Sequence, residues 1–254
     1  MSNNFNTNIL SPILETKSIS KSFGQVNGLV DVNFEIFTSE VLALVGDNGA
    51  GKSTLIKILS GALEKDKGQI LVDGQSVEID SVSDAQKYGI STVYQDLALV
   101  DVRDVASNIF LGREPLKMGI FINKEKMVYD SREVLNNLKI KIPSLDLNVG
   151  ELSGGQRQSV AIARALARGE RIFLLDEPTA AMGVEQCAQI NALIKNLKEK
   201  KKSVVVITHN LEHIFEVADR IIILRRGKRV ATRFKKDTTK EEIVGLITGA
   251  YSGD

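Results

Sequence analysis

The chain has 254 residues, and its 33 lysines and arginines nearly balance its 32 aspartates and glutamates, which leaves a net charge of +1. This length allows one large domain to bury its own core, and the balanced charge argues against a broad nucleic-acid-binding surface. A single cysteine, Cys187, excludes an internal disulfide and fits a reducing cytosol. Because no run approaches about 18 apolar residues and the start lacks a signal-peptide pattern, we expect a chain that neither spans a membrane nor is exported.

The first predicted element is a flexible tail over residues 1–12, which are rich in Asn and Ser. Beyond this tail, apolar runs predict strands, and several of these runs are apolar at every position. Such runs are typical of parallel strands that helices cover on both faces. The predicted strands are residues 32–37, 41–45, 70–72, 90–94, 172–175, 204–207 and 221–224.

A glycine-rich loop follows the predicted strand at 41–45 and leads directly into an apolar-periodic helix. Its glycines let backbone N–H groups turn inward around an anion, and the helix start adds its positive end. In such a loop Lys52 reaches the β and γ phosphates, and the Ser53 hydroxyl holds Mg²⁺. The loop therefore predicts nucleoside triphosphate binding by Gly46, Asp47, Asn48, Gly49, Ala50, Gly51, Lys52, Ser53 and Thr54.

Between Leu97 and Arg168 the strand pattern disappears and helical periodicity replaces it. We interpret this stretch as a helical lobe inserted into an α/β core. Its helices are predicted at residues 105–111, 124–138 and 156–167.

A second glycine-containing segment, Leu152 to Gln156, opens the last of these helices. Ser153 is a favourable N-cap there, and the helix start favours an anion. The chain thus has two candidate anion-binding helix termini.

Two adjacent carboxylates, Asp176 and Glu177, follow the predicted strand at 172–175. Neighbouring side chains on a strand point to opposite sides, so the two carboxylates need not share one task. His209 follows the next strand, at the edge where ligands bind in open α/β sheets. Triphosphate hydrolysis needs a positioned metal, charge stabilisation on the γ phosphate and a group that activates water, and Asp176 and Glu177 can supply two of these.

In the phosphate loop, in Leu152 to Gln156 and in Arg171 to Pro178, the chain resembles the ATP-binding cassette (ABC) ATPases, the nucleotide-hydrolysing subunits of ABC transporters. The resemblance extends over residues 13–247, nearly the whole chain. It implies an α/β fold: a P-loop NTPase core with a mixed, mainly parallel sheet, an N-terminal antiparallel β part and an inserted helical subdomain. The implied bounds are 13–95 and 168–247 for the core and 96–167 for the helical subdomain.

The same resemblance implies a role for each candidate residue, with ATP and Mg²⁺ as ligands. Glu177 would be the general base, His209 the switch histidine at the γ phosphate, and Lys52 the phosphate-binding lysine. The implied metal ligands are Ser53, Gln95 and Asp176.

The resemblance also implies a head-to-tail homodimer. In that dimer, the second glycine segment of one copy would close on the γ phosphate that Lys52 of the other copy holds. The residues of this segment are Ser153, Gly154, Gly155 and Gln156.

Two residues have alternative interpretations at this stage. Phe23 lies where family members stack an aromatic ring on adenine, but a core aromatic would use the same residue type. His213, four residues after His209, could form a metal pair with it. Zinc is disfavoured because the pair lacks the zincin Glu and a nearby Cys ligand.

One departure from the family pattern is Met182-Gly183, where the family usually has Leu-Asp in a loop that crosses between two cassettes. Sugar-import members can carry Gly at this position, and residues 94–99 and 108–114 also resemble the carbohydrate-uptake branch. The implied function is ATP-driven uptake of a sugar through an integral membrane permease, by a single-cassette subunit peripheral to the cytoplasmic face of the cell membrane. A solute-binding protein would be an indirect partner.

Other functions remain as alternatives. An ABC-type ATPase acting on nucleic acid or ribosomes generally needs long coiled-coil insertions or two linked cassettes, and neither is visible, so we expect no nucleic-acid partner. A P-loop GTPase or a small-molecule kinase is a second alternative. The guanine-specific Asn-Lys-x-Asp is missing, because the segment that begins with Asn123 and Lys124 has Lys126 in place of the Asp. A purely structural nucleotide-binding module would not need Glu177 and His209.

Overall fold

A computed structural model describes residues 11–254 of the protein, so residues 1–10 of the predicted tail lie outside the described part. The strands in this part are β1 Leu14–Phe23, β2 Val26–Ile36, β3 Val41–Val45, β4 Lys67–Val72, β5 Gln75–Val77, β6 Ile90–Val93, β7 Leu116–Lys117, β8 Phe121–Ile122, β9 Ile172–Asp176, β10 Ser203–Ile207, β11 Arg220–Arg225 and β12 Lys228–Phe234. The α-helices are α1 Lys52–Leu59, α2 Val82–Lys87, α3 Val105–Ile109, α4 Lys124–Asn137, α5 Gly154–Ala167, α6 Val184–Glu199, α7 Leu211–Val217 and α8 Lys240–Thr248. Over residues 11–254, no helix combines the length and the apolar character that a membrane crossing requires.

Two β-sheets form the frame of the molecule. The central sheet has the strand order β12-β11-β3-β10-β9-β6, in which β12 is antiparallel and the other five strands are parallel. An antiparallel sheet of order β2-β1-β4-β5 packs against its phosphate-loop side. This architecture, with helices α3 to α5 between β6 and β9, confirms the predicted fold class.

The central strand β3 explains how the layers are held together. Leu42 and Leu44 pack with α1 and the antiparallel sheet, whereas Ala43 and Val45 pack with β11, α7 and α8. All four side chains are fully buried. Because strand side chains alternate between faces, a strand covered on both sides must be apolar throughout, as this one is.

One part of the fold differs from expectation. The sequence pattern predicts no strand between Leu97 and Arg168, and this is wrong at the hairpin of β7 and β8. Each strand of the hairpin has two residues, and a strand of this length is too short to show an alternating pattern in the sequence. Its apolar side chains are exposed, from 51% at Ile122 to 87% at Met118.

Candidate nucleotide-binding and catalytic site

The candidate site lies where three adjacent parallel strands end. Ile207, the last residue of β10, is aligned with Leu44 on β3 and with Asp176 on β9. The segments that follow β3, β9 and β10 carry the phosphate loop, Glu177 and His209, respectively. Because the carboxyl ends of parallel strands share one edge, the sheet brings these three elements together.

The phosphate loop turns tightly between β3 and α1, and two glycines make this turn possible. Gly46 and Gly51 have φ angles of 153° and 103°, and Gly51 is the N-cap of α1. A Cβ atom at Gly51 would lie 2.7 Å from the carbonyl oxygen of Gly28, so a side chain does not fit there. A Cβ atom at Gly46 would collide with the carbonyl oxygen of Leu224.

Hydrogen bonds inside the loop fix its shape. The Asp47 carboxylate accepts from the N–H of Asn48 at 2.7 Å, and its carbonyl oxygen accepts from the N–H of Ala50 at 3.1 Å. Gly49 at the tip is exposed. No side chain caps α1, so its first-turn N–H groups, at Ser53 and Thr54, are available to an anion.

Three distant segments meet at glycines beside this loop. A Cβ atom at Gly51 would lie 2.7 Å from the carbonyl oxygen of Gly28, and a Cβ atom at Gly227 would lie 2.9 Å from the same oxygen. Neither position has room for a side chain. Gly227, in the turn between β11 and β12, also donates its N–H to the carbonyl of Ala50 at 3.0 Å. The Phe23 ring packs on Gly28, where a Cβ atom would lie 2.8 Å from the ring. The Phe23 side chain is 49% exposed, so Phe23 is not a core aromatic.

The turn that carries Gly227 also adds positive charge that the sequence analysis missed. A cavity beside the phosphate loop is lined by residues 47–50 on one side and by Arg225, Arg226 and Lys228 on the other. Basic side chains around a concave surface raise the local concentration of anions. These residues lie far from the loop in sequence, and no local pattern connects them to it.

Lys52 folds back over the loop. Its Nζ donates to the carbonyl oxygens of Gly46 at 2.8 Å and of Asp47 at 3.0 Å. Burial lowers the pKa of Lys52, and the charges of Glu177, Asp47 and Asp176 partly offset this effect. Phosphate oxygens are stronger partners for an ammonium group than carbonyl oxygens are. Lys52 can therefore exchange these contacts for the β and γ phosphates of a nucleotide.

Three oxygen donors are candidates for the Mg²⁺ site. Ser53 is exposed at the start of α1, Asp176 ends β9, and Gln95 lies two residues beyond β6, which pairs with β9. Burial, together with the charge of Glu177, raises the pKa of Asp176, and a bound cation would have the opposite effect. Mg²⁺ usually binds one or two carboxylates together with waters and substrate phosphates, so this donor set fits it. Residues 11–254 hold no cluster of three or more His, Cys, Asp or Glu that would form an all-protein metal cage.

Glu177 and His209 contact each other directly, with 2.9 Å between Glu177 Oε1 and His209 Nδ1. Glu177 has a φ angle of 48°, which is uncommon for a residue with a side chain. Its N–H donates to the carbonyl of Ile207 at 2.8 Å, so strand β10 maintains this strained backbone. The side chain of His209 is 79% exposed and that of Glu177 is 19% exposed. A phosphate can thus approach His209 from solvent while the carboxylate stays shielded.

His213 does not converge with His209. It is 4% exposed on α7, and its Nδ1 lies 2.7 Å from Thr179 Oγ1. The two histidines therefore contact different residues, and this geometry does not favour a zinc pair. The contact between His213 and Thr179 spans 34 residues, so no local sequence pattern predicts it.

The second glycine segment forms the start of α5. Ser153 is the N-cap: its hydroxyl accepts from the N–H of Gln156 at 3.3 Å, and the Gln156 side chain accepts from the N–H of Ser153 at 2.9 Å. Ser153 and Gly154 are exposed, whereas Gly155 packs against Gln186 of α6. Within the described chain, residues 153–156 line neither of the two cavities that border the phosphate loop.

Comparison with known proteins gives consistent matches. A family model described as ABC transporter matches residues 29–180. The chain is 47% identical to the xylose/arabinose import ATP-binding protein of Sulfolobus acidocaldarius, over 96% of this chain and 97% of that protein. It is 42% identical to the fructose import ATP-binding protein of Rhizobium meliloti, over 94% and 95%. A ribose import ATP-binding protein of Rubrobacter xylanophilus is also 42% identical, but the chain spans only 48% of its length.

Solved structures match the fold over nearly the whole chain. The ADP conformation of an ATP-binding cassette of an ABC transporter superimposes with a TM-score of 0.81 at 28% identity, over 94% of this chain and 95% of that chain. A dimeric post-hydrolysis state of another ATP-binding cassette, bound to ADP and Pi, gives a TM-score of 0.73 at 26% identity, over 89% of this chain and all of that one.

Proposed function

The chain belongs to the ABC transporter family, and we propose that two copies of it hydrolyse ATP at shared sites to energise the uptake of a sugar. It is an ABC-type ATPase coupled to transport. The observation that carries the catalytic part of the proposal is the contact between Glu177 and His209 at the strand edge beside the phosphate loop.

Glu177 is the general base in this proposal. It accepts a proton from the attacking water, and a carboxylate in a shielded position is suited to this step. His209 orients the carboxylate through Nδ1 and leaves the rest of its exposed ring free to contact the γ phosphate. Lys52 supplies positive charge to the β and γ phosphates.

Ser53, Gln95 and Asp176 hold Mg²⁺ in this proposal. When bound, the cation neutralises charge on the β and γ phosphates. Gln95 also begins the segment that leads into the helical lobe. Arg164 of α5 donates to the carbonyl oxygens of Leu97 and Ala98, at 2.7 Å and 2.9 Å, so the lobe and this segment are tied together.

The second copy contributes the start of α5. In a single chain, Ser153 and Gly154 are exposed and the phosphate loop is lined by other residues. A head-to-tail pair gives the remaining free N–H groups at the start of α5 a phosphate to bind. ATP favours the closed pair only if it binds that state better than ADP does, because a ligand shifts an equilibrium by its differential affinity.

The substitution Glu177→Gln tests the assignment of the base. We expect turnover to fall by about 100-fold or more, since the variant cannot accept the proton, while ATP binding is retained. The unhydrolysed nucleotide should also trap a dimer, which light scattering after gel filtration would detect. The matched control is Glu78→Gln, because Glu78 is exposed and pairs with Lys65 away from the site. Normal turnover by Glu177→Gln would refute the assignment.

A membrane permease is the proposed partner of residues 96–167, which we assign as the helical subdomain. A cleft between β6 and α5, bordered by Tyr94, Arg164 and Arg168, lies next to the segment that follows Gln95. The β7–β8 hairpin, in the same range of residues, exposes five apolar side chains, and exposed apolar surface commonly marks protein contacts. Binding there would keep this subunit peripheral, at the cytoplasmic face of the membrane.

Hairpin substitutions test this surface. Met118→Ser combined with Ile120→Ser should leave basal ATP hydrolysis unchanged and abolish co-purification with the permease in detergent. Unchanged co-purification would exclude the hairpin from the contact.

A sugar is the proposed transported solute, because relatives that match this chain over nearly their whole length are import ATPases for xylose/arabinose and for fructose. The test is to reconstitute the ATPase with its permease and to compare pentoses and hexoses, each with its binding protein, as activators of hydrolysis. Co-purification with nucleic acid instead would favour the alternative of an ATPase acting on nucleic acid or ribosomes. The longest helix in the described part, α6, has 16 residues, so residues 11–254 lack the long coiled coil typical of that class.

A further inference from the structure

The chain has two histidines, and the proposed catalytic site uses one of them. The other, His213, lies on α7 and is 4% exposed. Its Nδ1 is 2.7 Å from Thr179 Oγ1, and within the described residues its Nε2 is buried without a hydrogen-bond partner. A buried imidazole with an unpaired nitrogen is costly, so its retention calls for an explanation.

The contact joins the two loops that carry the catalytic pair. Thr179 lies two residues after Glu177, and His213 lies four residues after His209. The same loops are thus linked twice, by an exposed contact between Glu177 and His209 and by a buried contact between Thr179 and His213. A buried hydrogen bond is electrostatically stronger than an exposed one, so the buried link is the better constraint on the distance between the loops.

Short local contacts transmit the position of each partner to the catalytic residue. The N–H of His213 donates to the side chain of Asn210 at 3.3 Å, and the N–H of Asn210 donates to Thr208 Oγ1 at 3.1 Å. His209 lies within this capped turn. On the other loop, Pro178 alone separates Thr179 from Glu177. A displacement of the imidazole therefore moves His209 relative to Glu177.

We propose that His213 is a positioning residue for ATP hydrolysis, which holds the Glu177 loop and the His209 loop in register through its hydrogen bond to Thr179. This inference rests on the proposed roles of Glu177 and His209. Burial lowers the pKa of His213, which keeps the ring neutral at physiological pH, although Glu216 and Glu177 partly offset the effect. A neutral ring can share a hydrogen bond with a hydroxyl group without introducing a buried charge.

The loop that contains Thr179 continues to Gly183, where the family aspartate is missing. In the proposed dimer this loop crosses to the second copy. The link to His213 therefore also connects the second copy to His209, so that closure of the pair and the position of the switch histidine change together.

Paired substitutions at Thr179 test the proposal. Thr179→Val keeps the shape of the side chain and removes the hydroxyl, whereas Thr179→Ser keeps the hydroxyl. We expect Thr179→Val to lower kcat by about tenfold with the KM for MgATP nearly unchanged, because misplacement of a catalytic group affects the chemical step. Thr179→Ser should retain most of the wild-type kcat. Equal kcat values for the two variants would overturn the proposal.

A double-mutant cycle with His213→Leu separates this role from general destabilisation. Because both substitutions remove the same hydrogen bond, the double variant should be no slower than the slower single variant. If the two reductions in kcat instead multiply, the residues act independently and the proposal fails. Ile194→Val, a fully buried change in α6, is the control for stability. It should lower the unfolding temperature and leave kcat unchanged, and an equal loss of kcat would assign the effect to stability alone.

The turnover of Glu177→Gln shows whether a failed test concerns the role of His213 or the catalytic assignment of Glu177. If Glu177→Gln abolishes turnover and Thr179→Val does not reduce it, only the role of His213 is wrong. If Glu177→Gln has wild-type turnover, the catalytic assignment itself fails.

Discussion

The helices α1 and α5 both begin at glycine-containing segments, but they differ in how many of their first N–H groups remain free. The N-cap of α1 is Gly51, no side chain caps this helix, and Lys52 is its first residue. The N-cap of α5 is Ser153, and the reciprocal bonds between Ser153 and Gln156 already satisfy two N–H groups at this terminus. The first basic side chain of α5, Arg157, is paired with Asp101 at 2.6 Å. α1 thus offers an anion more donors and a full positive charge.

This difference explains why, in the proposed function, the α5 start of one copy acts on phosphates that the α1 start of another copy holds. In the proposed function, the start of α1 can hold phosphates by itself, because its free N–H groups and the charge of Lys52 lie at the same helix terminus. The start of α5 offers a partial dipole charge of about half a unit and few free donors, so its attraction for an anion alone is weak. It becomes effective next to phosphates that are already bound. The order of events in the proposed cycle, ATP binding first and closure second, follows from this asymmetry.

The largest expected effect comes from removing the charge at the stronger helix start. Lys52→Met should weaken MgATP binding by about 100-fold or more, because two charged hydrogen bonds to phosphate are lost. Titration with a fluorescent ATP analogue would measure this. Lys17→Met is the matched control, because Lys17 is exposed on β1 and should bind ATP normally after the change. ATP affinity within a few-fold of wild type in Lys52→Met would mean that α1 is not the stronger site.

At the weaker helix start, a negative charge should block turnover without blocking ATP binding. Nothing lies within 4 Å of a Cβ atom at Gly154, so both Gly154→Asp and Gly154→Ala fit the fold. We expect Gly154→Asp to bind ATP normally and to lose about 100-fold in turnover, since a carboxylate would repel the phosphate of the partner copy. Gly154→Ala should change turnover only modestly. If Gly154→Asp instead loses ATP affinity, the two helix starts belong to one site within a single chain.

Mixing the two defective variants tests whether each site is built from the α1 start of one copy and the α5 start of the other. Lys52→Met keeps a normal α5 start and Gly154→Asp keeps a normal α1 start, so a mixed pair has one intact shared site. Random pairing of equal amounts should restore about a quarter of wild-type hydrolysis, because half of the pairs are mixed and one of their two sites works. No recovery on mixing would contradict a site built from two copies.

The sequence predicted the segments at this edge because their signals are local. The strands β3, β9, β10 and β11 contain continuous apolar runs, and a glycine, a carboxylate or a histidine lies within two residues of the end of each strand. The same was true of the cap at Ser153, where four consecutive residues determine the geometry. The fold class was predictable for this reason, together with the family resemblance.

The remaining features depend on contacts between distant residues. Gly28 and Gly227 are nearly 200 residues apart, and their meeting at the phosphate loop follows from the packing of two sheets. β1 was not among the predicted strands: its pairing is interrupted by register shifts, and Ser18 has a φ angle of 53°. The bond between Thr179 and His213 likewise spans 34 residues. Periodicity and capping rules act over a few residues and carry no information on such pairs.

The smallest expected effect comes from substitutions at Ser153, which separate the structural role of the α5 cap from its proposed role in catalysis. Ser153→Ala removes the hydroxyl that caps α5, and loss of an N-cap costs about 1 kcal/mol of folding stability. Ser153→Thr keeps a capping hydroxyl and should unfold in urea at nearly the wild-type concentration. If α5 acts only as a well-capped helix, hydrolysis will follow stability, and Ser153→Thr will be as active as wild type. If the hydroxyl also approaches the phosphate of the partner copy, the added methyl group of Ser153→Thr will lower turnover without lowering stability. The reason is that Ser153 is exposed in the single chain and becomes buried only when the two copies close.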